Sequence, residues 1–273
     1  MKLNKAIALS ALLLSAPAFA ADKKASAPAR PVKPPVNVPA GTVCWQVLSN
    51  NKNKTPLEVA YYKDGKEIAR RKYNEEGRPD KPVVKVPDGP VRFYDANGRL
   101  LEEAQYKGGR REGLKTNFFP GGAKREVMEM KNDLCNGIVR HFDEKGALAE
   151  EISCKDGVWH GKYRIFFPDG KVEGEENYVN GMLDGISRQW DIKGVLRTEV
   201  TFVNFMKNGP AKFYDEKGRL SLEANFKNNK YDGIAKEFYS NGILMYEDVY
   251  AAGRKISRKA YSRSGKLQSE RKY

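Results

Sequence analysis

Histidine and cysteine are scarce: the 273-residue chain holds two of the first and three of the second. That excludes a Cys- or His-rich zinc framework and a multi-bridge disulfide miniprotein. Past the first twenty residues there is no long apolar run, and mean hydropathy is −0.68, too low for a bundle of membrane helices. No glycine-rich phosphate loop leads into a helix and no metal-spaced cluster occurs, so neither a cofactor nor a metal is expected. Acid is in deficit, 35 Asp and Glu against 49 Lys and Arg, for a formal net charge of +14. What abounds is strand and turn material. There are 25 glycines, and aromatics, mostly Tyr and Phe, make up 11%, a composition of many strands joined by many turns.

The chain opens on an address. Lys2 and Lys5 precede an apolar run from Ala6 to Leu14, and Ala18-Phe19-Ala20 offers small residues where a signal peptidase reads. The run is about half of what a bilayer span needs. Residues 1–20 are therefore expected to be a cleavable signal peptide, with export to the periplasm or beyond the cell and no transmembrane segment in the mature chain. Losing Lys2 and Lys5 lowers the net charge from +14 to +12. Residues 21–40, rich in Pro, Ala and Lys, are expected to form an extended, solvated linker.

A strict period governs the rest. Gly89, Gly113, Gly137, Gly161, Gly185, Gly209 and Gly233 are each 24 residues apart. A second glycine follows nine residues into each unit, at Gly98, Gly122, Gly146, Gly170, Gly194, Gly218 and Gly242. Four residues before it stands an aromatic: Tyr94, Phe118, Phe142, Phe166, Trp190, Tyr214 and Phe238. Such self-similarity marks a repeat array. Each unit reads as a β-hairpin: Gly137–Phe142 is a first strand, Asp143–Gly146 a tight turn and Ala147–Cys154 the return strand. The second glycine supplies the positive φ that such a turn demands. Leu148 and Cys154, an even number of residues apart, lie on one sheet face. One hairpin cannot shield that face, but a stack of hairpins can. The recurring aromatics are expected to be the buried anchors of the stack.

The array frays at both ends. Tyr61 to Tyr73 reads as a degenerate earlier unit, separated from the regular ones by a Pro-containing insert, Gly77 to Pro87. Residues 41–60 are expected to cap that hairpin, with Trp45 over its open end, so that cap and degenerate repeat occupy 41–88. Seven regular repeats fill 89–256. Residues 257–273 form a partial repeat in which Tyr261, Gly265 and Tyr273 keep the spacing after a one-residue deletion.

The unit of Gly, aromatic, turn Gly, Leu, Glu and Tyr, closed by a turn such as Val179 to Gly185, resembles the MORN-variant repeat (membrane occupation and recognition nexus). The resemblance spans roughly residues 61–273. It implies an all-β fold, an elongated, twisted antiparallel meander of about eight to nine 24-residue hairpins, used chiefly for binding or assembly. Among its bacterial relatives are antitoxin-like partners of toxins, and phospholipid binding has been proposed for such repeats.

Bases recur three residues into the first strand, at Arg92, Arg140, Arg164, Arg188, Lys212 and Lys236, and acids at Glu103, Glu151, Glu175, Glu199, Glu223 and Glu247. The second unit has Thr116 and Val127 instead, and this joint loss points to one electrostatic system. Parallel ladders of opposite charge, neutralising each other across strands, are the structural expectation. The functional alternative makes the basic row a binding face for an acidic protein or an anionic envelope polymer; nucleic acid is not expected in an exported chain. Glutamates that recur in six units mark a scaffold, whereas a catalytic carboxylate pair is singular. His141 and His160 have no local nucleophile to serve and read as plain surface or turn residues. No catalytic residue is expected. Folding the third hairpin with Phe142 facing Ala147 sets Cys135 opposite Cys154, within disulfide reach in an oxidising compartment; a bulge at the turn would shift that register by one. The alternative is a buried thiol at Cys154. Cys44 is left over, either tucked beside Trp45 or open to an intermolecular link. A membrane barrel is not expected, because first strands of about six residues, with Arg140 on the side of Phe142, leave no lipid-facing side free of charge. The expected function is a non-catalytic, exported binding module for another protein; the alternative is a basic binder of phospholipid, lipopolysaccharide or acidic polysaccharide.

Overall fold

A computed structural model of the chain describes residues 43–50, 56–72, 74, 88–95 and 98–273. The expected signal peptide, the linker and the Pro-containing insert lie outside the described residues, as do Tyr73 and the side chain of Trp45. Among the described residues all regular structure is β, and the strands join one sheet.

Two kinds of turn alternate. At the first, the Gly146 N–H donates to the Asp143 carbonyl at 3.0 Å and the Asp143 N–H to the Ala147 carbonyl at 2.9 Å. The Asp143 carboxylate accepts from the N–H groups of Lys145 and Ala147, the local bonding that makes Asp a turn former. The second is a two-residue link in which both φ angles are positive, +50° at Asp156 and +81° at Gly157. That is the primed turn whose twist matches that of the flanking strands. The same geometry recurs with Phe205 at φ +64°, a conformation costly for a bulky side chain.

The glycine that sets the 24-residue period belongs to neither turn. The strand Leu134–Phe142 begins three residues earlier than the sequence suggested. Cys135 faces Met130 and Val139 faces Met128, so four residues on one strand span two on its neighbour. Gly137, at φ +138°, sits in this bulge. A Cβ there would lie 2.8 Å from Cβ of Glu129, so any larger residue would force the strands apart.

From β4 (Gly89–Tyr94) and β5 (Leu100–Lys107) the chain meanders, each strand antiparallel to the next, to Leu267–Lys272. The N-terminal part departs from the expected cap. β1 (Val43–Asn50) is a strand within the sheet; it pairs antiparallel with β2 (Pro56–Lys63) and parallel with β4. β3 (Lys66–Lys72) pairs with β2 and forms the N-terminal edge. The order β3-β2-β1-β4-β5 continues along the meander, and the sheet stays open.

A single sheet has no second layer to bury its face, and the core runs as stripes between neighbouring strands. One stripe links Val139, Ile152, Cys154, Tyr163, Tyr178 and Leu183; another links Val200, Ala211, Ala224, Phe226 and Ala235. The recurring aromatics are not its centre. Tyr94 is buried, but Phe118, Phe142, Phe166, Trp190, Tyr214, Phe238 and Tyr261 are half-buried, because they stand beside the turn where the sheet ends. The stripe closes on charge. Ala235 faces Asp248, which is 5% exposed and is held at 2.7 Å by both Lys255 and Arg258, a polar end of the kind that terminal repeats require.

Candidate binding surface

The recurring bases and acids do not form two ladders. They make one row, one residue per strand, in which base and acid alternate. Arg140 faces Glu151, Glu151 faces Arg164, Arg164 faces Glu175 and Glu175 faces Arg188. The row runs on through Glu199, Lys212, Glu223, Lys236 and Glu247 to Lys259 and Glu270. Arg92 reaches Glu103 at 2.5 Å, Arg140 reaches Glu151 at 3.0 Å, Arg164 reaches Glu175 at 2.8 Å and Arg188 reaches Glu199 at 2.7 Å. Thr116 and Val127, where the charges are jointly missing, face each other. Each base in this row beyond Thr116 and Val127 stands beside an acid, so its field is cancelled locally rather than offered to a polyanion.

The opposite face carries the apolar stripe and a polar cluster that sequence reading missed. His141 is not a plain surface residue. Its Nε2 lies 2.9 Å from Glu126 and its Nδ1 3.0 Å from Glu150, on the strands to either side. The two carboxylates hold the imidazole protonated, raising its pKa to about 9. Asn117 donates to Glu126 in turn. The sequence held a signal for this: Glu126 and Glu150 are 24 residues apart, which brings equivalent strands to both sides of position 141. His160 is exposed, as a surface residue should be, but it lies within the strand Val158–Phe166 rather than in a turn, and it accepts an N–H from Asn180 at 3.4 Å.

Further along, the apolar stripe is interrupted. Tyr163 faces Glu176, and the Tyr178 hydroxyl donates to Glu176 at 3.0 Å. Desolvation raises the Glu176 carboxyl above its ordinary range. Tyr163, Ile165, Gly174, Glu176, Arg188 and Gln189 line a water-sized hollow here, too small for an organic ligand. Among the described residues no group of His, Cys, Asp and Glu has the arrangement of a metal site.

Cys135 and Cys154 are disulfide-bonded, with Cα atoms 6.0 Å apart. The register differs from the direct opposition that the spacing suggests. A bulge at the turn sets Phe142 against Leu148, so Cys154 faces Gly137 and the bridge runs diagonally to Cys135. Cys44 is a free thiol, 4% exposed, among Ala60, Tyr62 and Tyr94, where burial raises its pKa and keeps it from partners.

The model of the MORN repeat variant matches residues 87–107, 159–180, 207–228 and 231–252. The chain carries MORN-variant repeats. The matched segments coincide with hairpins of the meander, and strand pairing runs without a break through the segments between them. No curated protein matches the chain. Among solved structures, S. aureus TarM in complex with fondaparinux, alpha-GlcNAc-glycerol and UDP shares 16% identity at a TM-score of 0.23, over 48% of this chain and 21% of that one. The Photorhabdus luminescens Tc holotoxin pore shares 13% at a TM-score of 0.21, over 82% of this chain and 14% of that one. A TcdB2-TccC3 structure shares 13% at 0.19, over 80% and 13%. The chain thus spans about a fifth or less of each of these, and such scores bear on neither fold nor function.

Proposed function

We propose that this MORN-variant array is an exported, non-catalytic scaffold that works by binding another protein. The observation that carries this reading is the single-layer sheet. It leaves large apolar side chains in solvent, such as Leu114 at 56% exposed and Ile234 at 46%, while its long charge row is neutralised within itself. Exposed apolar residues on a rigid frame are what protein interfaces use. The Cys135–Cys154 bridge supports an oxidising compartment, and with it the reading of residues 1–20 as a cleaved signal directing the chain to the periplasm or beyond. An inhibitor-like or antitoxin-like role is one form such binding takes.

A second reading, binding of anionic phospholipid, lipopolysaccharide or acidic polysaccharide, is favoured by the net charge of +12 that remains once Lys2 and Lys5 are removed. Salt separates the two. Capture of a protein from envelope extract by the immobilised chain should persist at about 1 M salt, where the Debye length is about 3 Å. Capture of lipid or polysaccharide alone, lost as salt rises, would replace the scaffold reading with the second one.

A further inference from the structure

The two-residue turns form one long rim of the sheet, and two rows of residues flank them. In one row Leu134, Val158, Met182 and Met206 recur at intervals of 24, each the first residue after its turn, and all are 39–48% exposed. The same row holds Arg110 before them and Lys230 and Arg254 after them. Across each turn the partner residue faces the same side: Lys131 and Lys155 opposite Leu134 and Val158, Val179 and Val203 opposite Met182 and Met206. Lys107 and Lys227 complete the ends. No acid occupies either row. Among the described residues, none of these seven cations stands within ion-pair distance of a carboxylate. Cations outnumber acids here around an apolar centre: the turns between the rows hold Asp133 and Asp156, which accept from the Arg111 N–H and the Asn136 amide, against seven cations without an ion pair.

The rim is also stiff. The Gly157 N–H donates to the Cys135 carbonyl and the Gly181 N–H to the Trp159 carbonyl, both at 2.8 Å, so each turn is tied to the preceding unit. Leu134 lies over Gly157 and Val158 over Gly181, which makes the apolar residues one staircase.

Its pitch selects the kind of segment that fits. Neighbouring strands are about 4.8 Å apart, and repeats therefore about 9.6 Å. One face of an extended strand presents side chains every ~6.7 Å, out of step with both distances. A helix with apolar residues alternating three and four apart presents them every ~5 Å on average and every ~10.5 Å per heptad. We propose that this rim is the docking surface for an amphipathic helix of a partner protein, apolar along one stripe and acidic beside it and at its ends. The proposal rests on the scaffold reading and names its surface and partner chemistry. The chain's own residues 1–40 are poor occupants, since they carry Lys2, Lys5, Lys23, Lys24, Arg30 and Lys33 and a single acid, Asp22.

The test uses the chain from residue 21 onward and two labelled helical peptides of about four heptads. Both carry leucines in heptad spacing, flanked by Glu in one and Lys in the other. Fluorescence anisotropy should show the Glu peptide binding at least tenfold more tightly than the Lys peptide. Met182→Asp with Met206→Asp should weaken it at least tenfold, and Lys131→Glu with Lys155→Glu at least fivefold. Lys145→Glu with Lys217→Glu, on the other rim, should change it less than twofold. Those side chains are exposed, so circular dichroism of each variant should match the parent. Equal binding of both peptides, indifference to the rim substitutions, or loss of binding to phosphatidylglycerol vesicles on the same substitutions would overturn the proposal. A photo-crosslinker at Val158 is paired with one at Leu114. Capture of protein from envelope extract at Leu114 alone would overturn the rim and spare the scaffold reading; capture at neither would overturn both.

Discussion

His141 shows how a residue's role in this fold depends on its neighbours across the strands rather than along the chain. Its imidazole titrates at about 9 in the folded protein against about 6.5 unfolded. A raised pKa means that the contribution to stability is complete below about pH 6.5 and fades as pH rises through about 9. The side chain is 30% exposed, so screening reduces the effect to about 1–2 kcal/mol. Urea denaturation of the parent should show that loss between those pH values, and His141→Gln should remove the slope. Packing gives a second comparison. Ile152, 4% exposed in the middle of the stripe, should cost about 2–5 kcal/mol on replacement by Ala. Phe166 is larger but half-buried beside a turn, and its Ala variant should cost less than Ile152→Ala in the same denaturation series.

At the scale of the element, the hairpin and its period were legible because two constraints repeat in the residue types themselves. A positive φ selects Gly, and a pleated strand places residues six apart on one face. Register was less legible. The bulge at Phe142 and Leu148 and the bulge at Gly137 each shift pairing by a residue or more, and nothing in the spacing distinguishes a turn glycine from a bulge glycine. That is why the spacing suggests two charge ladders where one alternating row exists, and direct opposition of Cys135 and Cys154 where the bridge is diagonal. Reversing one charge tests the row: Arg164→Glu puts an acid between Glu151 and Glu175 and should cost about 1 kcal/mol, read as a shift in urea midpoint that 0.5 M salt reduces. The disulfide closes a loop of 19 residues in sequence separation. Its removal in Cys135→Ser with Cys154→Ser should lower stability by ~3 kcal/mol, and peptide mapping without reductant should recover the two cysteines linked.

The whole molecule behaves as a one-dimensional object. Each hairpin touches its neighbours, the core is a stripe without a centre, and polar ends close it, with Asp248, Lys255 and Arg258 at one of them. The sequence announced the array but not its beginning. The parallel pairing of β1 with β4 is a long-range contact with no periodic signal, and the residues of β1 lack the repeat. For function the same architecture matters most, because among the described residues a sheet without a second layer leaves large apolar side chains such as Leu114 and Ile234 in solvent. Small-angle X-ray scattering on the chain from residue 41 onward measures that directly. Among the described residues nineteen strand positions lie side by side, since Met182–Leu183 and Gly185–Trp190 share one, and at about 4.8 Å each they predict a longest dimension of roughly 80–95 Å and a radius of gyration well above the ~18 Å of a compact fold of this size. A radius of gyration near ~18 Å, with a longest dimension to match, would contradict the single-layer sheet and the binding role built on it.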